Sequence, residues 1–124
     1  MTENAKRVEK PWGYEIWWAR TDRYVGKLLH IKAGESLSLQ YHNVKDETIM
    51  VQSGTLLFET GSKDDPANLK KTEMKAGDAF HITPHTVHRM TGITDVDIVE
   101  VSTPELDDVV RLEDRYGRAG TSRP

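Results

Sequence analysis

The sequence predicts an all-β sandwich or barrel. Two observations carry this. Short runs rich in β-branched and aromatic residues recur along the chain, and Gly, Pro, Asp and Asn punctuate them at close intervals. Before Pro104 no segment keeps the 3.6-residue apolar period of a helix, and no repeat of solenoid length is present. With 124 residues the chain can bury a core but is too short for two ordinary domains. The lack of Cys excludes a disulfide framework and a thiolate metal site. A formal net charge of −3 speaks against nucleic-acid binding. No apolar run is long enough to span a membrane, and no apolar leader opens the sequence. The expectation is a cytoplasmic protein with neither nucleic acid nor membrane as partner.

Residues 1–10 are polar and charged and are expected to form a flexible tail. One domain is expected over 11–118, with a second flexible tail over 119–124. Pro11-Trp12-Gly13 reads as a turn leading into a strand from Tyr14 to Trp18. Trp12, Trp17 and Trp18 read as packing residues. This strand carries more apolar surface than a small barrel covers, which predicts a two-fold interface and hence a homodimer. Tyr24 to Lys32 is the next strand, and Lys32-Ala33-Gly34-Glu35 a turn with glycine at positive φ. Strands follow at Ser36 to His42, Glu47 to Ser53 and Thr55 to Thr60. Residues 61–68 read as an exposed loop. Leu69 to Lys75 is a half-exposed strand, and Ala79 to Ile82, Val87 to Thr91 and Val96 to Ser102 complete the set. Residues 105–112 read as a turn or short helix.

Chemistry-bearing residues concentrate between Gly34 and Gly54. Gln40 and His42 lie two apart on a strand and so share one face, with Leu37, Leu39 and Tyr41 on the other. The polar connection Asn43-Val44-Lys45-Asp46 turns the chain back, and the returning strand opens on Glu47. These are N and O ligands of the kind that suit Zn, Fe, Mn or Ni. His88, in GDAFHITPHTVHRM, is a fourth candidate. His30, His81 and His85 taken singly read as ordinary surface or hydrogen-bonded side chains.

The spacing G-x5-Q-x-H-x4-E-x6-G resembles the first motif of the cupins, with Gln40 in place of its first histidine. Gly77 to His88 resembles the second motif, with Thr83 and His85 where proline and glycine usually stand and Gly92 replacing the closing asparagine. More narrowly, KPWGYE, SLSLQYH, VQSG, VHRM, IVEVSTPE and VRLEDRYGR, in that order, resemble the cupin part of type II mannose-6-phosphate isomerases. In that family the domain is usually fused behind a GDP-mannose pyrophosphorylase domain. Here a stand-alone domain is expected, and no Gly-rich nucleotide loop is present.

The resemblance implies a double-stranded β-helix, or jelly-roll barrel, holding a divalent metal at Gln40, His42, Glu47 and His88. Type I mannose-6-phosphate isomerases also use a Gln, His, Glu, His zinc set, so zinc is the first choice; the ligand types also accept Fe, Mn, Ni or Co. The implied activity interconverts mannose 6-phosphate and fructose 6-phosphate through an enediolate. Phosphate needs fixed cations, for which Arg111, Arg115 and Arg118 in VRLEDRYGR are candidates, with Arg89 beside His88. Proton transfer needs a group near neutral pKa. Glu100, in the apolar run Ile98-Val99-Glu100-Val101, is the first candidate, because burial would raise its pKa, and His81 the second. Two rival readings use the same residues: a metal-dependent oxygenase-type cupin, and a non-catalytic sugar-binding module.

Overall fold

The computed structural model describes residues 2, 4–118 and 120–122. Among them there is no helix, and none therefore long and apolar enough to cross a membrane. Twelve strands form two antiparallel six-stranded sheets. The first sheet has the order β1 (Lys6–Lys10), β2 (Gly13–Arg20), β3 (Val25–Ile31), β10 (Val96–Ser102), β5 (Glu47–Ser53), β8 (Ala79–Ile82). The second has the order β12 (Gly120–Ser122), β11 (Val109–Glu113), β4 (Leu39–Tyr41), β9 (Thr86–Gly92), β6 (Thr55–Ser62), β7 (Asp65–Lys75). Sequence neighbours repeatedly sit in opposite sheets, the arrangement of a jelly roll.

The inner faces meet in one apolar cluster. Leu29, Ile31, Ile49, Val51, Val96 and Ile98 of the first sheet face Leu56, Phe58 and Met90 of the second, with Trp12 closing one side. Each such side chain, fully buried, stabilises by about 1.5–3 kcal/mol before entropy is counted. The alternation along β10 sets which residues point in: Val96, Ile98, Glu100 and Ser102 are buried, while Asp97, Val99 and Val101 are not. The inner row of β10 thus changes from apolar to polar partway along, and that change positions the site.

Four expectations about elements need correction. Residues 6–10, expected to fray, form β1 in continuous register with β2 from Lys6↔Trp17 to Lys10↔Gly13. The expected loop at 61–68 is mostly strand. β7 is the outermost strand of its sheet, so Pro66 is tolerated there and its lysines face solvent. The stretch 105–112, read as a turn or short helix, makes a turn and then strand β11, because Val109 and Val110 are β-branched and the edge of β4 is free to pair. Of the expected tail at 119–124, residues 120–122 pair with β11; 119, 123 and 124 lie outside the described residues. The turn at Gly34 has the positive φ expected of it, 81°.

Candidate metal centre and its cavity

β4, β5 and β9 converge on one point between the sheets. Gln40 of β4 lies directly opposite His88 of β9, so their side chains share the inner face. His42 follows β4, and Glu47 opens β5. The ligand atoms of His42, Glu47 and His88 lie within 4.8 Å of one another, and all three side chains are buried. Gln40, half-buried, lines the same cavity.

Both imidazoles are oriented by backbone carbonyls. His42 Nδ1 donates to the Asp108 carbonyl at 2.7 Å, and His88 Nδ1 donates to the Thr86 carbonyl at 2.9 Å. A carbonyl only accepts, so each Nδ1 carries its proton and each Nε2 is left to present a lone pair. Such outer contacts commonly orient histidine ligands in metal sites. Glu47 Oε2 lies 2.9 Å from His42 Nε2, yet the alignment leaves this buried oxygen without a hydrogen bond. Two lone pairs and an orphaned carboxylate oxygen facing one point suit a divalent cation, so His42, Glu47 and His88 could hold one.

The electrostatics of the cavity are set by burial against pairing. Burial pushes the His88 imidazole down to about 4. Burial would raise the Glu47 carboxyl, but the Lys45 ammonium beside it is the largest opposing influence and holds it well below the usual carboxylate range. Lys45 Nζ sits 3.3 Å from Glu47 Oε2 and 3.3 Å from Glu100 Oε2. Those two carboxylates outweigh its desolvation and keep its pKa above the ordinary lysine value. Glu100 is raised by burial and by the nearby Glu47, with Lys45 opposing. Asp108 braces the loop that carries Lys45, accepting from the backbone N–H of Asn43, Val44 and Lys45 at 3.1, 2.6 and 2.9 Å.

The other expected site residues divide. Glu100 is 4% exposed and lines the cavity, as do Arg111 and Arg118. His81 does not. It is exposed on the outer face opposite Thr48, 2.6 Å from Asp46, while the alternation of β5 turns Glu47 inward. Arg89 also faces outward, because His88, its neighbour on β9, faces in. Glu59 takes its guanidinium at 2.8 and 3.1 Å and Glu113 takes it at 3.4 Å. Arg115 donates to the Gly34 carbonyl and lies with Arg89 in a separate outer depression. These three are therefore corrected: none reaches the cavity.

Sequence reasoning missed Lys45, read only as part of a polar connection, and Ser38, whose spacing from Gln40 and His42 was the available signal. It also passed over Lys10, in the stretch expected to fray. Lys27 also lines the cavity and pairs with Glu15 at 3.3 Å. His85, standing where the second cupin motif usually has glycine, is the one non-glycine residue at positive φ among the described residues, 69°. Its N–H donates to the His42 carbonyl at 2.7 Å, so this turn braces a ligand. Gly92 replaces asparagine where a Cβ would stand 2.8 Å from the carbonyl oxygens of Lys32 and Thr94.

The two sheets make a double-stranded β-helix of the cupin type, with the His42, Glu47 and His88 set between them. Residues 1–114 match the family described as mannose-6-phosphate isomerase C-terminal, and the chain belongs to that family. Mannose-1-phosphate guanylyltransferase ManC of Salmonella typhimurium is 32% identical over 118 residues, which cover 91% of this chain and 23% of that protein. The chain thus spans about a quarter of the length of such relatives. Among solved structures, the capsular polysaccharide assembling protein CapF of Staphylococcus aureus superposes with a TM-score of 0.75 at 18% identity, over 90% of this chain and 35% of that one. A double-stranded β-helix protein of Klebsiella pneumoniae gives 0.67 at 22% identity, over 90% and 86%. At these identities the structural likeness establishes the fold alone.

Proposed function

We propose that the chain is a metal-dependent aldose–ketose isomerase interconverting mannose 6-phosphate and fructose 6-phosphate. The observation that carries this reading is one cavity holding both the His42, Glu47, His88 set and the buried Lys45–Glu100 pair. Membership in a family described as mannose-6-phosphate isomerase C-terminal supports the choice of sugar. Gln40, His42, Glu47 and His88 would hold the ion, zinc by first choice. Once held, a divalent ion supplies Lewis-acid polarisation of sugar oxygens.

The protein's own groups handle the proton. Isomerisation moves one proton from C2 to C1 of the aldose and another from O2 to O1. Glu100 suits the carbon-to-carbon transfer, because burial raises its pKa toward the working range of a base that must also return the proton. Lys45 holds Glu100 Oε2 in place and offsets the carboxylate charge once the proton has left. The apolar walls, Leu29, Leu37 and Met90, limit water around these groups.

Purified protein should exchange mannose 6-phosphate with fructose 6-phosphate, lose that activity to a chelator, and carry zinc by elemental analysis. Protein that carries metal but exchanges no sugar phosphate would sink the isomerase reading and leave the cupin fold standing. Iron or copper in its place would favour the oxygenase-type reading, and no metal the sugar-binding module. A cytoplasmic location and a homodimer belong to the same proposal. The supporting feature for the dimer is the outer face of the first sheet, where Ile16, Leu28, Val99 and Met50 align across four strands beside Trp18, which is 53% exposed. Light scattering at micromolar concentration should give twice the chain mass; monomer alone would contradict the dimer.

A further inference from the structure

The cavity is lined by more cations than are ion-paired among the described residues. Lys10, Lys27, Lys45, Arg111 and Arg118 line it. Three are paired: Lys27 with Glu15, Lys45 with Glu47 and Glu100, and Arg118 with Asp114 at 3.0 and 3.2 Å. Lys10 and Arg111 have no carboxylate at ion-pair distance among the described residues. Arg111 Nε is buried without a hydrogen-bond partner among those residues. A charged donor buried and left unsatisfied is costly, and its persistence points to an acceptor that binds there.

A third group faces the same space without a partner. Ser38 is 2% exposed, lines the cavity, and its Oγ has no hydrogen bond among the described residues. It stands two residues before Gln40, and Arg111 lies directly opposite Gln40. Lys10 reaches the cavity from the other sheet, at the end of β1.

We propose that Lys10, Arg111 and Ser38 form a subsite for the dianionic phosphate of a phosphorylated sugar. The identity of the sugar rests on the isomerase reading; the phosphate rests on the unmatched donors. A phosphate monoester carries about −1.5 to −2 charge at pH 7 with three strong acceptor oxygens. Two unpaired cations match that charge, and an ammonium, a guanidinium and a hydroxyl supply donors for those oxygens. Burial pushes the pKa of both cations down; the Glu15 carboxylate opposes this at Lys10 and Asp114 opposes it at Arg111, while neighbouring cations push down, Lys27, Arg118 and Arg111 on Lys10 and Arg118 on Arg111. An arriving dianion relieves that repulsion. Arg118, already neutralised by Asp114, has no such deficit.

The test is calorimetric titration of the purified protein with inorganic phosphate, mannose 6-phosphate and mannose, at matched metal content. Wild-type protein should bind mannose 6-phosphate about tenfold or more tightly than mannose. Lys10→Met and Arg111→Met should each weaken inorganic phosphate and mannose 6-phosphate about tenfold, the scale of one charge-assisted contact, and leave mannose unchanged. Ser38→Ala should cost a few-fold by the smaller worth of a neutral hydroxyl. Arg115→Gln, outside the cavity, should alter none of these affinities, and circular dichroism checks that each variant is folded. Wild-type protein that binds neither phosphate compound, or folded Lys10→Met and Arg111→Met proteins that bind both as wild type does, would overturn the subsite. Phosphate held through Lys10 and Arg111 without any sugar-phosphate exchange would keep the subsite and reject the isomerase.

Discussion

The two ends of the barrel interior are built from the same strands and do opposite things. At one end β3, β10 and β5 place Leu29, Ile98 and Val51 side by side, fully apolar and closed to water. A step along the same strands, the row reads Trp17, Lys27, Glu100 and Ile49, with Glu47 and Ser102 in the next. The apolar end is stabilised by burial, which needs no partner. The polar end buries Glu15, Lys27, Lys45, Glu47 and Glu100, each of which is tolerable only because another charge faces it. The first end therefore degrades gradually under substitution, whereas the second fails when one member of a pair is removed.

The largest expected effect tests that contrast directly. Lys45→Met leaves Glu47 and Glu100 buried without their cation and should cost about 3–5 kcal/mol of unfolding free energy. Ile98→Val, at the apolar end, should cost only about 0.5–1.5 kcal/mol. Urea denaturation of both variants compares them, and equal losses would contradict the division. Next in size is His88→Ala, expected to lower isomerase turnover by about 10²–10³-fold, as for loss of a main electrostatic stabiliser. Its metal content should fall while its circular dichroism stays that of the wild type. Full metal content in this variant would remove His88 from the ligand set.

A pH experiment sharpens the same comparison. In chelator-treated protein, His88 is held at about 4 by burial, against about 6.5 in the unfolded chain. Above pH 6.5 both states are neutral there and the group contributes nothing. As pH falls from 6.5 to 4, the unfolded chain takes up a proton that the native state refuses, so stability is lost, by up to about 3 kcal/mol. Glu47 adds loss in the same direction at lower pH, since its folded pKa is depressed. Glu100, with its folded pKa raised, acts in the opposite sense above pH 4.5. Subtracting the His88→Ala profile from that of the wild type isolates the histidine, and a flat difference would refute its burial in the neutral form.

The smallest expected effect is His85→Gly. Positive φ disfavours any side chain, but glycine also loses more entropy on folding, so the change should stay within about 1 kcal/mol of the wild type in either direction. Its retained N–H still braces the His42 carbonyl, so turnover should hold. A large loss of activity would mean that the His85 ring acts in the site.

The sequence by itself determined the β architecture, most strand positions and the shared face of Gln40 and His42, because these follow from local rules; the approach of Glu47 and His88 to those two depends on how the strands pair. A period of two fixes which residues share a face, and glycine and proline mark the turns. It did not determine which strands become neighbours. Lys45 reads as a polar turn residue until the fold lays Glu47 and Glu100 on either side of it. Arg111, Arg115 and Arg118 look equivalent in one basic ending, yet only the first and last face the cavity, and of those two only Arg111 lacks a carboxylate at ion-pair distance among the described residues. Lys10 reads as a fraying end until β1 carries it to the cavity wall. Pairing, burial and opposition across two sheets are long-range properties, and the pKa values and charge deficits that make the cavity chemically distinctive exist only after folding has brought these groups together.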